Sequence, residues 1–490
     1  MSDIYQLYRE PLTLLNDLYQ LTMAYAYWKS GTADREAVYH LFYRKAPFQG
    51  QFALACGLPY IIDFVENLQA SESDLQYLET LKGSDGKPLF ETAFLDYLHH
   101  VEFTCDIDAV HEGTPVFPQE PIVRVRGPLI QCQLLETPFL NIVNFQTLIA
   151  TKAARIREAA GDRPVVEYGL RRAHGFDGGI TATRAAYIGG ADATSNVLAG
   201  KLFGIPVKGT HAHSWVMSFD SELEAFNTYA SAMPNNCVLL VDTYDTLHGV
   251  DHAIEVAHQL KTNGHQLQAI RLDSGDLAYL SSEARKKLDA AGLQDVKIMA
   301  SNDLDEHIIA NLNMQGARID LFGVGTKLIT AFDQPALGGV YKLGAVRDRG
   351  EHWEYKLKLS EQAVKISNPG VLQVRRFSSD GYFIADAIYD DEAELDANVV
   401  VVDPIDVTRR KVIPSGTAHE DLLQPIFKQG KLVYQKRTIE ETKSFCKQQL
   451  NLLHPAIRRL LNPHRYPAGL ELSLHELKLQ LVLEARGLPV

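Results

Sequence analysis

The 490-residue chain has only five cysteines, Cys56, Cys105, Cys132, Cys237 and Cys446, and no CxxC pair among them. That scarcity excludes a disulfide framework and a cysteine-based zinc site. Positive charge is also short: 48 Lys and Arg face 61 Asp and Glu, a net charge of −13. A phosphate backbone or an anionic membrane surface demands the opposite surplus, so a general nucleic-acid or membrane-surface binder is excluded. Local basic clusters stay available for a small anion. No long apolar run is present, and the longest weakly charged stretch, Gly127 to Ile149, carries Glu136 with several Gln and Asn residues. A membrane span tolerates few of those. The N-terminal MSDIYQLYREPLTLLND lacks an apolar core behind basic residues, so no signal peptide is expected. What is there is a folding composition, 46% apolar and 22% charged. The length suits two to four domains, or one large barrel with attachments, at about 100–200 residues per domain. Together these features predict a soluble protein of a reducing compartment, the cytoplasm.

Mid-chain, short β-branched runs alternate with helical spacing. Residues 165–169 (VVEYG), 205–214 (IPVKGTHAHS), 238–242, 267–273, 296–303 and 319–326 read as strands, with helical patterns between them that include 195–204. Near-continuous apolar strands separated by helices predict a parallel sheet covered by helices. The strand starts at 238, 267 and 296 lie 29 residues apart, which suits a β/α barrel at least as well as an open sheet. The flanks differ. Up to about residue 125, helices expected over 14–30, 61–67, 73–81 and 90–99 mix with strands such as AVYHLFYRK and the Pro-rich EGTPVFPQEPIVRVRG. A long amphipathic helix over 137–160 leads into the barrel, and after Gly339 come short strands, VVVVDP and two helical stretches.

Every predicted strand passes from apolar to polar at the same end, where parallel α/β folds place ligands. Those ends carry Glu167-Tyr168, Thr210-His211-Ala212-His213-Ser214, Asp242-Thr243, Arg271 with Asp273-Ser274, Ser301-Asn302-Asp303, and Gly323-Val324-Gly325-Thr326. Ser274 or Asp276, and Asn302 or Asp303, also suit helix N-caps. Capping leaves Arg271, both histidines and the Gly-Val-Gly-Thr turn unexplained.

An HxH at a strand end puts both imidazoles on one side. As a metal pair of the kind barrel hydrolases use, His211 and His213 need further histidines at later strand ends, and those ends supply Asp, Arg, Ser, Asn and Gly instead. A nucleophile or acid/base oriented by Ser214 and nearby carboxylates therefore ranks first, a satisfied buried histidine second and the metal pair third. Gly323-Val324-Gly325-Thr326 offers backbone N–H groups and a hydroxyl at a helix start, an anion nest. Beside Arg171-Arg172, Arg271 and the run Lys342, Arg347, Arg349, Lys356, Lys358, Lys365, it suggests a polyphosphorylated ligand, although any single lysine of that run is better read as a solvated sheet edge. Arg271-Leu272-Asp273-Ser274-Gly275-Asp276 suits a sugar diol or hydrated Mg²⁺ together with an anion held by the guanidinium. Glu167 to Arg172 sets an aromatic face beside two cations, fit for a flat anionic ring; the alternative is an ion pair between Glu167 and an arginine.

The motifs NDLYQLTMAYAY, FALACGLPYIIDF, EYGLRRAHGFDGG, YIGGADATSNVLAGKLFGIPVKGTHAHSW, RLDSGDL, SNDLDE, FGVGTKL, GGVYKL and NPHRYP span essentially the whole chain. With them the sequence resembles nicotinate phosphoribosyltransferase, a type II phosphoribosyltransferase related to the nicotinamide and quinolinate enzymes. The resemblance implies an α/β fold: an irregular α/β barrel plus an α/β sandwich domain formed from N-terminal and C-terminal segments. The implied parts are residues 1–125 (sandwich), 126–340 (barrel, active site at the strand C-terminal ends) and 341–490 (return to the sandwich plus covering helices). It also implies a head-to-tail homodimer with active sites shared between subunits. The implied reaction joins nicotinate to 5-phosphoribosyl 1-pyrophosphate with Mg²⁺ present, giving nicotinate mononucleotide and pyrophosphate. ATP hydrolysis through a phosphohistidine drives it, a ligase-type coupling that serves NAD salvage.

By the same resemblance His213, followed by Ser214, is the phosphorylated residue, and His211 is the less suited acceptor. Tyr19 resembles an aromatic that reaches across from the partner subunit to stack on the pyridine, with Tyr168 as its counterpart. Arg171 and Arg271 resemble anion ligands, Asp273 the ribose-contacting acid, Gly323, Gly325 and Thr326 the 5′-phosphate loop, and Thr210 lies with them in the substrate site. No residue is assigned to Mg²⁺, and neither nucleic acid nor membrane is an expected partner. The competing readings are nicotinamide specificity, where Asp192 could accept from an amide without discriminating, and a barrel metallohydrolase using His211, His213 and Asp273. A non-catalytic scaffold is the last, and it needs none of the polar strand ends.

Overall fold

The computed structural model describes residues 12–489. The mid-chain apolar runs form β1 (Val165–Glu167), β2 (Ala193–Thr194), β3 (Val238–Leu240), β4 (Ala269–Leu272), β5 (Lys297–Ala300) and β6 (Leu321–Val324). They make one parallel sheet in the order β2-β1-β6-β5-β4-β3. Val166, Leu239, Ile270, Ile298 and Phe322 are each at most 4% exposed, because the crossovers lay helices against the sheet. The chain reaches this sheet through α1 (Leu18–Lys29) and the long α2 (Glu136–Ala160). Around it run α3 (Gly175–Gly189), α4 (Val197–Phe203), α5 (His213–Met217), α6 (Leu277–Ala290), α7 (Glu306–Met314) and the short α8 (Thr326–Ile329), with further helices at Glu222–Ala232 and Thr246–Thr262. α2 and α3 approach so closely that a Cβ at Gly189 would stand 2.2 Å from the Ala150 carbonyl oxygen, so only glycine fits.

The segment 205–214, expected as a strand, is one only in part. Residues 206–208 pair with β2, where Thr194 N–H donates to Pro206 and Lys208 N–H to Thr194, and the ladder stops there. The chain then leaves the ladder so that α5 can begin at His213. At the opposite edge of the sheet, the Leu240 N–H of β3 donates to His211 Nε2 at 3.2 Å. A side chain thus serves as acceptor on the open edge of β3. This satisfies a buried backbone donor that would otherwise cost about 1–3 kcal/mol.

The chain ends are woven together. Glu36–Tyr43 lies between Gly339–Arg347 and Val123–Pro128, and Gln424–Lys428 joins the same sheet beside Asp106–Ala109. A third sheet of six strands is built wholly within residues 372–471. The late helix α9 (Ile439–Asn451) and the short α10 (Pro455–Arg458) follow, and α9 packs back against α3. The architecture is mixed α/β. No helix among the described residues is long and apolar enough to cross a membrane.

Candidate functional site

The polar residues gather where expected, at the C-terminal ends of the parallel strands. Glu167 closes β1 and is fully buried. Its carboxylate accepts from Thr194 Oγ1 (2.7 Å), Thr183 Oγ1 (3.0 Å) and the Gly169 N–H. Burial raises its carboxyl above the ordinary value, and these three donors offset only part of that rise. The alternative of an ion pair does not hold, since no arginine among the described residues reaches Glu167; hydroxyl donors from α3 and β2 do that work and fix the turn that carries Tyr168.

The Tyr168 ring lies on bare backbone. A Cβ at Gly323 would stand 2.7 Å from its Cδ2 and Cε2 atoms and 2.8 Å from Met299 Cε. Gly323 lies inside β6, where its missing side chain makes room for the Tyr168 ring. Gly325 caps α8 and Thr326 is its first residue, so these two do sit at the turn. The Arg271 guanidinium carbon lies 5.6 Å from the Tyr168 ring centre. Arg271 donates from Nε to Ser301 Oγ (2.8 Å) and from Nη2 to Asp273 Oδ1 (2.9 Å), and Ser301 Oγ also donates to Asp273. The triangle locks the arginine, while Nη1 has no acceptor among the described residues and can take an anion.

The two histidines do not share a side. His211 is 8% exposed and turned into the fold, with Nε2 accepting from Leu240 and Nδ1 3.4 Å from the Ala212 carbonyl. Its imidazole is lowered to about 4, mainly by burial, with the Arg271 and His213 charges adding. Both ring nitrogens are spent, so neither is open to a metal or a phosphoryl group. His213 instead opens outward from the first turn of α5, its side chain 40% exposed, with Nε2 3.3 Å from Asp242 Oδ1. Asp242 is itself buried and anchored: its Oδ2 accepts from Asp273 N (2.9 Å) and Ser274 Oγ (2.6 Å). A strand-ending carboxylate at β3 thus fixes the histidine on the loop between β2 and β3. No group of three His, Cys, Asp or Glu among the described residues stands close enough to hold a metal ion, and the metal-pair reading falls with His211.

Other expected residues lie nearby but uncommitted. Thr210 Oγ1 donates to the His211 carbonyl at 3.0 Å, and Ser214 is exposed. Arg171 is exposed on the short turn Leu170–Arg172 after β1, without a hydrogen bond or ion pair among the described residues. Of the capping candidates, Asp276 caps α6, Ser274 serves Asp242, and neither Asn302 nor Asp303 caps the next helix: α7 is capped by Asp305, which the sequence reading did not name. Asn302 instead holds φ at 101°, a strained backbone at the functional edge. Asp192 is not here. It precedes β2 at the other end of the sheet, pairs with Arg157 and accepts from Val165 N at 2.8 Å, so it plays no part in recognition at this edge. Tyr19 is also apart: it is 47% exposed on α1, and no hydrogen bond or ring contact joins it to Tyr168. Lys342 and Lys356 lie on the seven-stranded sheet beside Glu136 and Glu354.

Sequence reasoning placed Asp242 and Ser301 at the polar strand ends without giving them a role, and it missed Lys327 and Met299 as site residues. The signal for Asp242 was its position, an acid ending an apolar strand as Asp273 does. Lys327 had none: its Nζ reaches Asp305 at 2.6 Å only because the β5 and β6 turns are neighbours.

Comparison with known proteins agrees along the whole chain. A family model described as "Nicotinate phosphoribosyltransferase (NAPRTase) family" matches residues 167–367, flanked by that family's N-terminal domain over 14–144 and C-terminal domain over 373–478. The chain is 44% identical over 485 residues to a nicotinate phosphoribosyltransferase of Bacillus subtilis, covering 98% of this chain and 96% of the relative. It is 38% identical over 525 residues to one of Caenorhabditis elegans, covering 94% and 92%. In structure it resembles human nicotinic acid phosphoribosyltransferase, with a TM-score of 0.82, 32% identity, and coverage of 96% of this chain and 100% of that one.

Proposed function

Because the chain belongs to the nicotinate phosphoribosyltransferase family, we propose that it joins nicotinate to 5-phosphoribosyl 1-pyrophosphate at the edge formed by Tyr168, Arg271, Asp273 and His213. The observation that carries this reading is the locked pair of an arginine and an aromatic ring at neighbouring strand ends. The Tyr168 face suits a flat pyridine, the free side of Arg271 suits a carboxylate or phosphate, and Gly325 with Thr326 suits the 5′-phosphate. The pyridine nitrogen attacks C1 of the ribose with its own lone pair, the C1–O bond to pyrophosphate breaks, and no base is required. Developing positive charge on the ribose is met by Asp273, whose Oδ2 has no protein donor.

Magnesium fits as a guest of substrate phosphates rather than in a protein cage: Asp242 has both oxygens committed, and Asp273 Oδ2 is the open carboxylate oxygen. When bound, the ion would neutralise the departing pyrophosphate. ATP is the second substrate in this reading. Asp242 holds the proton on His213 Nε2, which leaves the Nδ1 lone pair to take the terminal phosphoryl group while ADP departs; water later returns phosphate and free histidine. The phosphate's charge couples ATP cleavage to turnover.

The architecture reads as an irregular α/β barrel over about 126–340, with the chain ends, 1–125 and the return after 340, forming a sandwich. Large apolar side chains stand exposed on the elements that follow the strand ends, among them Val197, Leu198, Leu202, Met217 and Tyr244. α1 exposes Leu18, Tyr19 and Met23. Docking α1 of one subunit over the strand ends of another covers both surfaces and brings Tyr19 opposite Tyr168, a homodimer with shared sites. Buried thiols without a disulfide suit the cytoplasm.

The test is product formation from phosphoribosyl pyrophosphate and Mg²⁺, with nicotinate or nicotinamide, with and without ATP. Nicotinate mononucleotide formed faster with ATP, and no amide product, is the expected result; amide product moves the protein to the sister activity. His213→Ala should lose the ATP stimulation and keep slow synthesis. Mixed dimers of Tyr19→Ala and Arg271→Ala subunits should regain activity, since one of their two sites is intact, and mixtures that stay inactive refute the shared site.

A further inference from the structure

A cavity of about 570 Å³ opens at the opposite end of the parallel sheet from Tyr168, Arg271 and His213. It is walled by the last turns of α2, the turns at Gly161 and Gly190 that lead into β1 and β2, and the helices α9 and α10. We propose that this cavity is a second ligand site, separate from the catalytic edge, which binds a phosphate-bearing metabolite of nucleotide size.

The charge balance of the walls carries the proposal. Arg155 is committed to Glu306 at 2.8 Å, Arg157 to Asp192, and Arg458 Nη1 to Glu158 at 3.2 Å, while Glu440 accepts from the Tyr187 hydroxyl at 2.9 Å. Once the ion pairs are set aside, Lys443, Lys447 and Arg459 remain against Asp162 and Glu440, because the Tyr187 hydroxyl leaves the Glu440 charge in place. A cavity lined by six Lys and Arg side chains against four Asp and Glu is out of place on a chain of net charge −13. Lys443 and Lys447 stand one turn apart on the same face of α9, where like charges repel unless an anion lies between them. Lys443 Nζ donates to the Ala191 carbonyl and sits 3.7 Å from the centre of the Tyr187 ring. In that half-buried setting its amine is lowered to about 8, mainly by desolvation. Arg458 Nε is buried with no acceptor, a donor still to be used.

The rest of the wall sets the ligand's size. Phe52, Ile188, Leu450 and Ile457 line the cavity with apolar surface, which inorganic phosphate cannot use and a nucleoside or similar body can. The volume falls in the usual range for small-molecule sites, about 300–1,000 Å³.

Adenosine monophosphate and inorganic phosphate are the probes, titrated calorimetrically into the full-length wild type, the double variant Lys447→Glu/Arg459→Glu, and Arg271→Ala. Lys447 and Arg459 are exposed, so the double variant should keep wild-type melting and transferase activity. The nucleotide should bind Arg271→Ala as it binds the wild type, and bind the double variant at least about tenfold more weakly. Loss of binding in Arg271→Ala, or equal binding to both variants, overturns the proposal. Inorganic phosphate binding as tightly as the nucleotide overturns the assignment of a nucleotide-sized ligand.

Discussion

Replacing Asp242 by asparagine isolates the atom on which ATP coupling depends. Asp242 Oδ2 accepts from Asp273 N at 2.9 Å and Ser274 Oγ at 2.6 Å, and Oδ1 faces His213 Nε2 at 3.3 Å. In Asp242→Asn the amide oxygen must stay with the two donors, because turning the NH₂ group towards them sets donor against donor. The NH₂ group then meets His213 Nε2, which can only accept, so the imidazole proton moves to Nδ1. That is the wrong tautomer for attack by Nδ1. A tautomer reversal of this kind in an Asp–His pair costs about 10⁴ in rate, or about 5.4 kcal/mol at 1.36 kcal/mol per tenfold. The assay is single-turnover formation of acid-labile phosphoenzyme from ATP, run beside nucleotide synthesis without ATP. Phosphoenzyme formation should fall by about 10³–10⁴, whereas ATP-independent synthesis should fall by less than about tenfold, because Arg271 and Tyr168 are untouched. Phosphorylation within about tenfold of the wild-type rate would refute the orienting role. An equal loss of both activities would instead mean that Asp242 only supports the Asp273 turn.

Two further outcomes follow from the same edge. His211 is lowered to about 4 in the folded protein, below its ordinary value of about 6.5. Its contribution to stability is therefore complete above pH 6.5 and is lost as the pH falls from there to about 4, a total of about 3 kcal/mol. His211→Gln keeps an acceptor for Leu240 N without titrating, so the melting-temperature difference between wild type and variant should shrink across that window; a difference constant with pH sinks the account. Gly323→Ala pushes a methyl group into the Tyr168 ring and Met299, at a cost of about 1–3 kcal/mol in stability. It should raise KM for nicotinate more than KM for phosphoribosyl pyrophosphate, and equal changes in the two would remove the ring-platform role.

Much of this was legible in the linear chain. The near-continuous apolar runs at 165–167, 238–240, 269–272, 297–300 and 321–324 can be buried only in a helix-covered parallel sheet, and their polar C-terminal residues mark the functional edge without any structure. The long motif match is what leads the sequence reading to expect His213, Tyr168, Arg271 and Asp273 in one site, and the fold brings them to one edge. What local pattern cannot carry is the pairing of distant atoms. His211 and His213 look alike two residues apart, and only the fold separates them. The fold brings an unpaired N–H, at Leu240 on the sheet's edge strand, to one ring across 29 residues of chain, while the anchored carboxylate of Asp242 takes the other. That the Tyr168 ring lies against Gly323 is likewise invisible in the linear chain. Asp192 reads as a recognition residue until the direction of β2 puts it at the far end. The cavity beneath the sheet is built from α2, the β1 and β2 turns and a helix pair some 280 residues further on. Periodicity tells which face of a segment is buried; which donor meets which acceptor is decided by how the buried faces close on one another in three dimensions.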